Sequence, residues 1–376
     1  MNKKLLIIEN IEYSLYYDLN NSLQESYGRL YGIQEHYNDN IIIHELTPND
    51  KDYQKTSYIK PYRKMQKALE IIKSKIYDAF GSNYRIEVGI KNRYINKTNQ
   101  KNIQEEKNEF MIIYFIYSNN LDEMLITQTI IKNDLTLKDI NSILEIVESD
   151  NNSLINKKIS ISSDKKYDLI FNPYSSGTFF HEIIGHILEE DNFEFSKVSE
   201  KKLICPKNIN IYENYNCNQM EDDVGGKIYS NIPLIINGNL THTLSSGNYQ
   251  TEEYDKIPIP RMRSMYIYST CSENISSNDN SIFIEDILYA ECNYYTGDIT
   301  LFVNKAYSIS NNNISYLYPF TIMFNVLYFN EFLVFMDNKK ELHKRLCCKN
   351  GSIITVDFIS SNLKILWNNY ITLQGV

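Results

Sequence analysis

Long apolar runs are missing from this 376-residue chain. None approaches the roughly 20 residues that a membrane-spanning helix needs, so no membrane partner is expected. Positive charge is short as well. There are 38 Lys and Arg against 47 Asp and Glu, a net charge of −9, whereas a nucleic-acid binder shows a basic patch or a basic total. Cysteine is sparse. The six (Cys205, Cys217, Cys271, Cys292, Cys347 and Cys348) form no C-x-x-C pair. The opening "MNKKLLIIENIEYSLYYD" has two lysines and a short apolar run, but acids follow at once and no small-residue cleavage site is visible. It reads as a first strand rather than an export signal, and reduced thiols in a cytoplasm are the corresponding expectation. No internal repeat is found.

Hydrophobic residues make up 43% of the chain and charged residues 23%, ordinary proportions for a globular protein of one or two domains. Residues up to about 60 read as short strands and turns. "YRKMQKALEIIKSKIYDAF" then carries Met65, Ala68, Leu69, Ile72, Ile76 and Phe80 on one helical stripe. "YRIEVGI" and "EFMIIYFIYS" read as strands, the second nearly buried. "TLKDINSILEIVES" reads as a helix with Thr136 as N-cap, Asp139 in the first turn, and Ile140, Ile143, Leu144 and Val147 as its apolar face. We therefore expect an N-terminal α/β domain over 1–150, a polar linker over 151–165, and a metal-binding, β-rich domain over 166–376. In the last of these, "YDLIFNP" leads as a strand into a histidine-bearing helix, and short strand-like runs recur between turn signals.

The helix is "SGTFFHEIIGHILEED". Its His181 and His186 stand five residues apart, not the four of an H-E-x-x-H zinc helix. At roughly 100° per residue, five positions leave two side chains about 140° apart, too divergent to share an ion. They converge only if the helix widens locally, as in a single π turn, and Gly185 lowers the cost of such a distortion. Neutral imidazoles suit zinc, and catalytic zinc usually takes three protein ligands. On spacing alone, the third ligand is open among Cys347, Cys348, His242, His343, Glu189 and Asp191. Glu182, beside the first histidine, has the chemistry to take a proton from an attacking water and hand it to a leaving amine. Glu189 could support His186 or be a solvated charge.

These residues carry a resemblance. "HEIIGHILEED" resembles the H-E-x-x-G-H-x-L-E-x-D signature of the TldD/PmbA metalloproteases, and four further segments follow in that family's order. "MEDDVGGKIYSNIPLIINGNL" resembles its acidic turn and hairpin, and "EEYDKIPIPRMRSMYI" its P-x-P-R-M segment. "AECNYYTGDITLFVNKAYSI" resembles its T-G-x-F strand pair, and "CCKNGSIITVDF" its C-G-K-x-G stretch. The resemblance implies a zinc held by His181, His186 and Cys347, with Glu182 as catalytic base. Cys348 stands where the family has glycine, Val224 where it usually has Glu, and Arg263-Ser264-Met265 where Thr-Asn-Thr is common. It also implies an α+β fold: an N-terminal helix-on-sheet domain and a C-terminal, mostly antiparallel, barrel-like β domain, with the metal-binding helix near their junction. The implied activity is a zinc endopeptidase acting on extended or unfolded peptides, trimming of a leader from a ribosomally made peptide being one such role. The implied partner is a non-catalytic, TldE/PmbA-like homologue, or a second copy of the chain.

Overall fold

The computed structural model describes residues 4–17, 22–37, 40–45, 59–80, 84–99, 104–119, 124–132, 136, 139–146, 148, 158–162, 165–213, 222–224, 227–245, 247–253, 255–275, 280–310 and 313–375. Most of the 151–165 linker, Val147, Cys217 and part of the "SENISSNDN" loop lie outside them. Two compact units emerge. One comprises Met1–Ile155 with Thr251–Ile257 and Lys344–Ile354, and the other Asn156–Gln250, Pro258–His343 and Thr355–Val376.

The first unit is a six-stranded antiparallel sheet, β1 (Lys4–Tyr17), β2 (Leu23–Tyr37), β3 (Asn40–Glu45), β4 (Tyr84–Asn99), β5 (Gln104–Asn119) and β6 (Met124–Lys132), in the order β3-β2-β1-β4-β5-β6. Helix α1 (Ile59–Phe80) packs on β1 and β4. Its Met65, Ala68, Leu69, Ile72 and Ile76 are buried, as the stripe predicts; the side chain of Phe80 lies outside the described set. The short N-terminal strands expected from sequence are instead long ribbons, β1 and β2 running 14 and 15 residues. Polar residues between the apolar ones do not end a strand whose backbone is paired on both sides, as β1 is with β2 and β4. Helix α2 spans 139–146. The Asp139 N–H donates to Thr136 Oγ1 at 3.2 Å, and the Thr136 N–H to Asp139 Oδ2 at 3.0 Å. This is a reciprocal capping box, over buried Ile140 and Ile143.

The second unit's strands are β7 (Asp168–Phe171), β8 (Ile209–Glu213), β9 (Ile232–Ile236), β10 (Asn239–Leu240), β11 (Tyr249–Gln250), β12 (Ile259–Pro260), β13 (Ser264–Ser269), β14 (Ser281–Asn293), β15 (Asp298–Ser310), β16 (Asn313–Tyr316), β17 (Phe320–Asn325), β18 (Val334–Met336), β19 (Glu341–Lys349), β20 (Ser352–Ser360), β21 (Leu363–Ile365) and β22 (Thr372–Gly375). They form one sheet in the order β10-β9-β8-β13-β20-β19, a second in the order β18-β21-β7-β14-β15-β17-β22 with β16 paired to β15, and the small pair β11-β12. Strand pairing ties the β19–β20 hairpin to the first of these sheets, although its tip clusters with the other unit. Two pairings are parallel, β7 with β14 and β13 with β20.

The barrel expected from sequence does not form. Among the described residues the end strands of each sheet do not pair with each other, so both sheets are open. The reason lies in the helix α3 (Pro173–Phe180) and its continuation, which are buried nearly all round. A helix apolar on every side needs partners on more than one face. Strands of both sheets supply them, since α3 packs on β7, β14 and β13. Phe179, Phe180, Ile183, Ile184, Ile187 and Leu188 share one core cluster with residues of both sheets.

Candidate metal centre

Chain chemistry sets the start of the histidine helix. Asn172 is its N-cap, accepting the Ser175 N–H through Oδ1 at 2.8 Å, and Pro173 fills the first turn, where an N–H is not needed. Ser175 Oγ donates to the Ile284 carbonyl on β14 at 2.7 Å, and Ser176 Oγ lies 2.8 Å from Ser360 Oγ on β20. The helix is thus pinned to one strand of each sheet.

At His181–Gly185 the backbone becomes a π turn, and the His186 N–H donates to the His181 carbonyl, five residues back. The expected widening is there. It brings the His181 and His186 rings to 4.7 Å between centroids, at 68° to each other. The reason proposed for Gly185 needs correction. Its φ of −53° and ψ of −58° are ordinary right-handed values that any residue adopts. Its neighbours are close: an added Cβ would lie 2.9 Å from Met262 Cε, the end of a flexible side chain, and 3.4 Å from His181 Nδ1.

The helix breaks at Glu189, which turns extended (φ −64°, ψ 129°) and bridges to Leu244. That break swings the Glu189 carboxylate back beside His186. Its Oε2 sits 3.0 Å from His186 Nδ1, and Asn192 Nδ2 donates to the His186 carbonyl at 2.7 Å. Glu189 is wholly buried; its Oε1 accepts the Met262 N–H at 3.3 Å and lies 3.9 Å from Arg261 Nε. The geometry decides for support of His186 over a solvated charge, and Arg261 takes a structural place beside it. With Nδ1 engaged, Nε2 is the nitrogen His186 can offer an ion, the arrangement that fixes tautomer and ring orientation at metal sites. Glu182 Oε2 stands 3.9 Å from that Nε2.

The third donor comes from the β19–β20 hairpin. Its two-residue turn is Asn350-Gly351, both at positive φ (52° and 74°), as a type I′ turn demands. Side chains alternate along the strand, so Cys347 is buried while Cys348 is exposed. The ligand-capable atoms of His181, His186 and Cys347 all lie within 4.8 Å of one another. Two imidazoles and a thiolate fit zinc by donor chemistry. The two other candidate histidines are elsewhere employed. His242 is exposed, its Nδ1 2.8 Å from the Pro233 carbonyl, and His343 stacks edge-on to Tyr174. Asp222 accepts N–H bonds from Val224, Gly247 and Tyr249, a loop organiser rather than a ligand.

Glu213 escaped the sequence reading. It is buried on β8, and its Oε1 accepts the N–H groups of Arg263 and Ser264 at 2.8 and 3.2 Å. With Glu189 on Met262, two buried carboxylates hold three consecutive N–H groups and so seat Met262 against Gly185. Burial pushes the Glu213 carboxyl up to about 7, against the pull of Arg263 and Ser264. A carboxyl raised on folding adds stability in full below its unfolded value near 4.5, and that contribution is lost as pH rises through about 7. Glu213→Gln carries no such dependence. Between pH 4.5 and 8, its stability relative to the wild type should therefore rise by roughly 3 kcal/mol. Urea unfolding of the metal-free proteins at pH 5 and pH 8 measures this, and a difference independent of pH would show that the carboxylate ionises without penalty.

Comparison with known proteins bears on the family and the fold. A family model described as the PmbA/TldA metallopeptidase C-terminal domain matches residues 164–355. No curated protein sequence matches the chain. Among solved structures, TldE from Thermococcus kodakarensis superposes with a TM-score of 0.70 at 14% identity, covering 99% of this chain and 96% of that one. Two proteins described as proposed modulators of DNA gyrase are also similar. That from Bacteroides thetaiotaomicron has a TM-score of 0.65 at 12% identity, covering 100% and 94%. That from Thermotoga maritima has a TM-score of 0.64 at 12% identity, covering 99% and 95%. At such identities the likeness is one of fold.

Proposed function

Because the chain belongs to the TldD/PmbA metallopeptidase family, we propose that it is a catalytic, TldD-like member, a zinc-dependent endopeptidase of extended or unfolded peptides. The observation that carries this reading is the convergence of His181, His186 and Cys347 within 4.8 Å, with Glu182 at the edge of His186. Zinc held by these three residues would polarise the scissile carbonyl and make a water easier to deprotonate. Glu182 takes the proton of that water and returns it to the leaving amine. Glu189 holds the His186 ring by its Nδ1, and the Glu189–Met262–Gly185 contacts keep the π turn in shape.

The substrates that suit this reading include the leader of a ribosomally made peptide. The partner is a non-catalytic homologue of the TldE kind, with a homodimer as the other arrangement. Among the described residues no helix is long and apolar enough to cross a membrane, and the described cysteines are free thiols, in keeping with work in the cytoplasm. A second reading, a peptide-binding module with structural zinc, calls for a fourth protein ligand such as Cys348, and that side chain is exposed while Cys347 is buried.

The test is incubation of the purified chain, alone and with a co-encoded homologue, with unfolded peptides, and mass spectrometry of the products. Cleavage should stop on addition of EDTA and return with zinc. Cleavage indifferent to EDTA would overturn the reading.

A further inference from the structure

Beside the histidine helix lies a cavity of about 650 Å³ lined by Phe195, Glu291, Cys292, Asn293, Tyr294, Tyr295, Asp298 and Thr300. It is built at the end of the β14–β15 hairpin, and β14 packs against the π turn that carries Glu182. Cys292 and Tyr294 are partly buried against the same core as Ile183 and Ile184. The negative charge of Glu182 reaches both: together with burial, the larger cause, it raises the Cys292 thiol to about 12 and the Tyr294 phenol above its usual range. The cavity thus lies at the end of a strand that borders the turn carrying Glu182.

The hairpin turn is held in place. The Thr296 N–H donates to Asn293 Oδ1 at 3.1 Å, and Asn325 Nδ2 donates to the Thr296 carbonyl at 3.0 Å and to Asp298 Oδ1 at 2.8 Å. The cavity is thus preformed, as ligand pockets usually are. Its chemistry is aromatic and acidic. Phe195 and Tyr295 are 71% and 68% exposed, large apolar surfaces that the chain itself leaves uncovered.

The two carboxylates are not equivalent. Asp298 is already answered, by hydrogen bonds from Thr296 and Asn325 and by the charge of Lys197, which together hold it below the usual carboxylate range. The Lys197 ammonium also lies 5.5 Å from the Tyr295 ring centre. Glu291, by contrast, has no hydrogen-bond or ion-pair partner among the described residues. One uncompensated carboxylate among aromatic rings is a setting for a cation, through a charge-assisted hydrogen bond and ring faces together.

We propose that this cavity is a specificity subsite that receives an arginine or lysine side chain of the peptide near the bond being cut, with Glu291 as its counter-charge and Tyr294, Tyr295 and Phe195 as its walls. The proposal rests on the peptidase reading for its substrate, and the test separates the two. Three fluorescein-labelled unstructured peptides, identical except for one Arg, Lys or norleucine, are presented to the zinc-loaded full-length chain. Cleavage is read by mass spectrometry, and binding by anisotropy to the zinc-loaded Glu182→Gln protein. The cationic peptides should exceed the norleucine peptide about five- to tenfold in kcat/KM and in affinity. In Glu291→Gln that ratio should fall to near one, and in Glu291→Lys it should invert. A ratio near one in the wild type, or a ratio that Glu291→Gln leaves in place, overturns the subsite. If no peptide is cut but the Glu291-dependent binding preference persists, the subsite stands and the peptidase reading falls.

Discussion

If Glu182 is the proposed base, Glu182→Gln should lower peptide cleavage by about a thousandfold and leave zinc bound as in the wild type. Gln keeps the shape of the side chain and loses the capacity to accept a proton and pass it on. General acid–base groups contribute about 10²–10⁴-fold, and on the proposed mechanism one residue serves both proton steps, so a loss near the middle of that range, about 4 kcal/mol in the barrier, is expected. The proposed donor set is His181, His186 and Cys347, none of which changes, so metal content measured by mass spectrometry should hold while turnover collapses. The position of Glu182 makes the assignment specific: its Oε2 is 3.9 Å from His186 Nε2, on the side of the ring opposite the Glu189 contact. A variant that cuts at the wild-type rate would remove Glu182 from the chemistry and with it the proposed mechanism.

On the proposed ligand set, Cys347→Ser should strip the zinc and Cys348→Ser should not. The two residues are adjacent, carry the same functional group and sit on the same strand, so the pair isolates geometry from chemistry. Cys347 is buried with its sulfur within 4.8 Å of donor atoms of both histidines, whereas Cys348 is exposed. Serine is a far poorer zinc donor than thiolate, and two histidines alone fall short of the three protein ligands such a site needs. The expected result is near-zero zinc stoichiometry for Cys347→Ser and full stoichiometry for Cys348→Ser. In the cobalt-substituted protein, a thiolate-to-metal absorption band should vanish only in the first. Loss of that band in Cys348→Ser alone would reassign the ligand.

Several of these features are legible in a single pass along the chain because they are local. The stripe from Met65 to Ile76 follows from helical period alone, and its residues are buried. Thr136 and Asp139 lie three residues apart, so their capping box forms within one turn. For His181 and His186 to converge at a five-residue spacing the helix must widen, and a π turn is present there. The misses are of another kind. Glu213 looked like one acid among many, because the N–H groups it holds are 50 and 51 residues away in sequence. Gly185 reads from sequence as a flexible residue, because its neighbour Met262 is far off in the chain. Glu189 could not be decided before the helix break that turns it back on His186 was visible.

By itself the order of residues determined which groups are available and how each short segment bends. It specified two histidines five residues apart on a helix, a carboxylate between them, and two adjacent cysteines far along the chain. Only tertiary structure decided which thiol arrives, which carboxylate orients the ring, and that both sheets stay open around a buried helix. The physical reason is the range of the forces. Dihedral preference, capping and turn geometry act over a few residues and are written in adjacent letters. Burial and the pairing of distant strands act through space, and strand alternation at a remote hairpin is what turns Cys347 inward and Cys348 out.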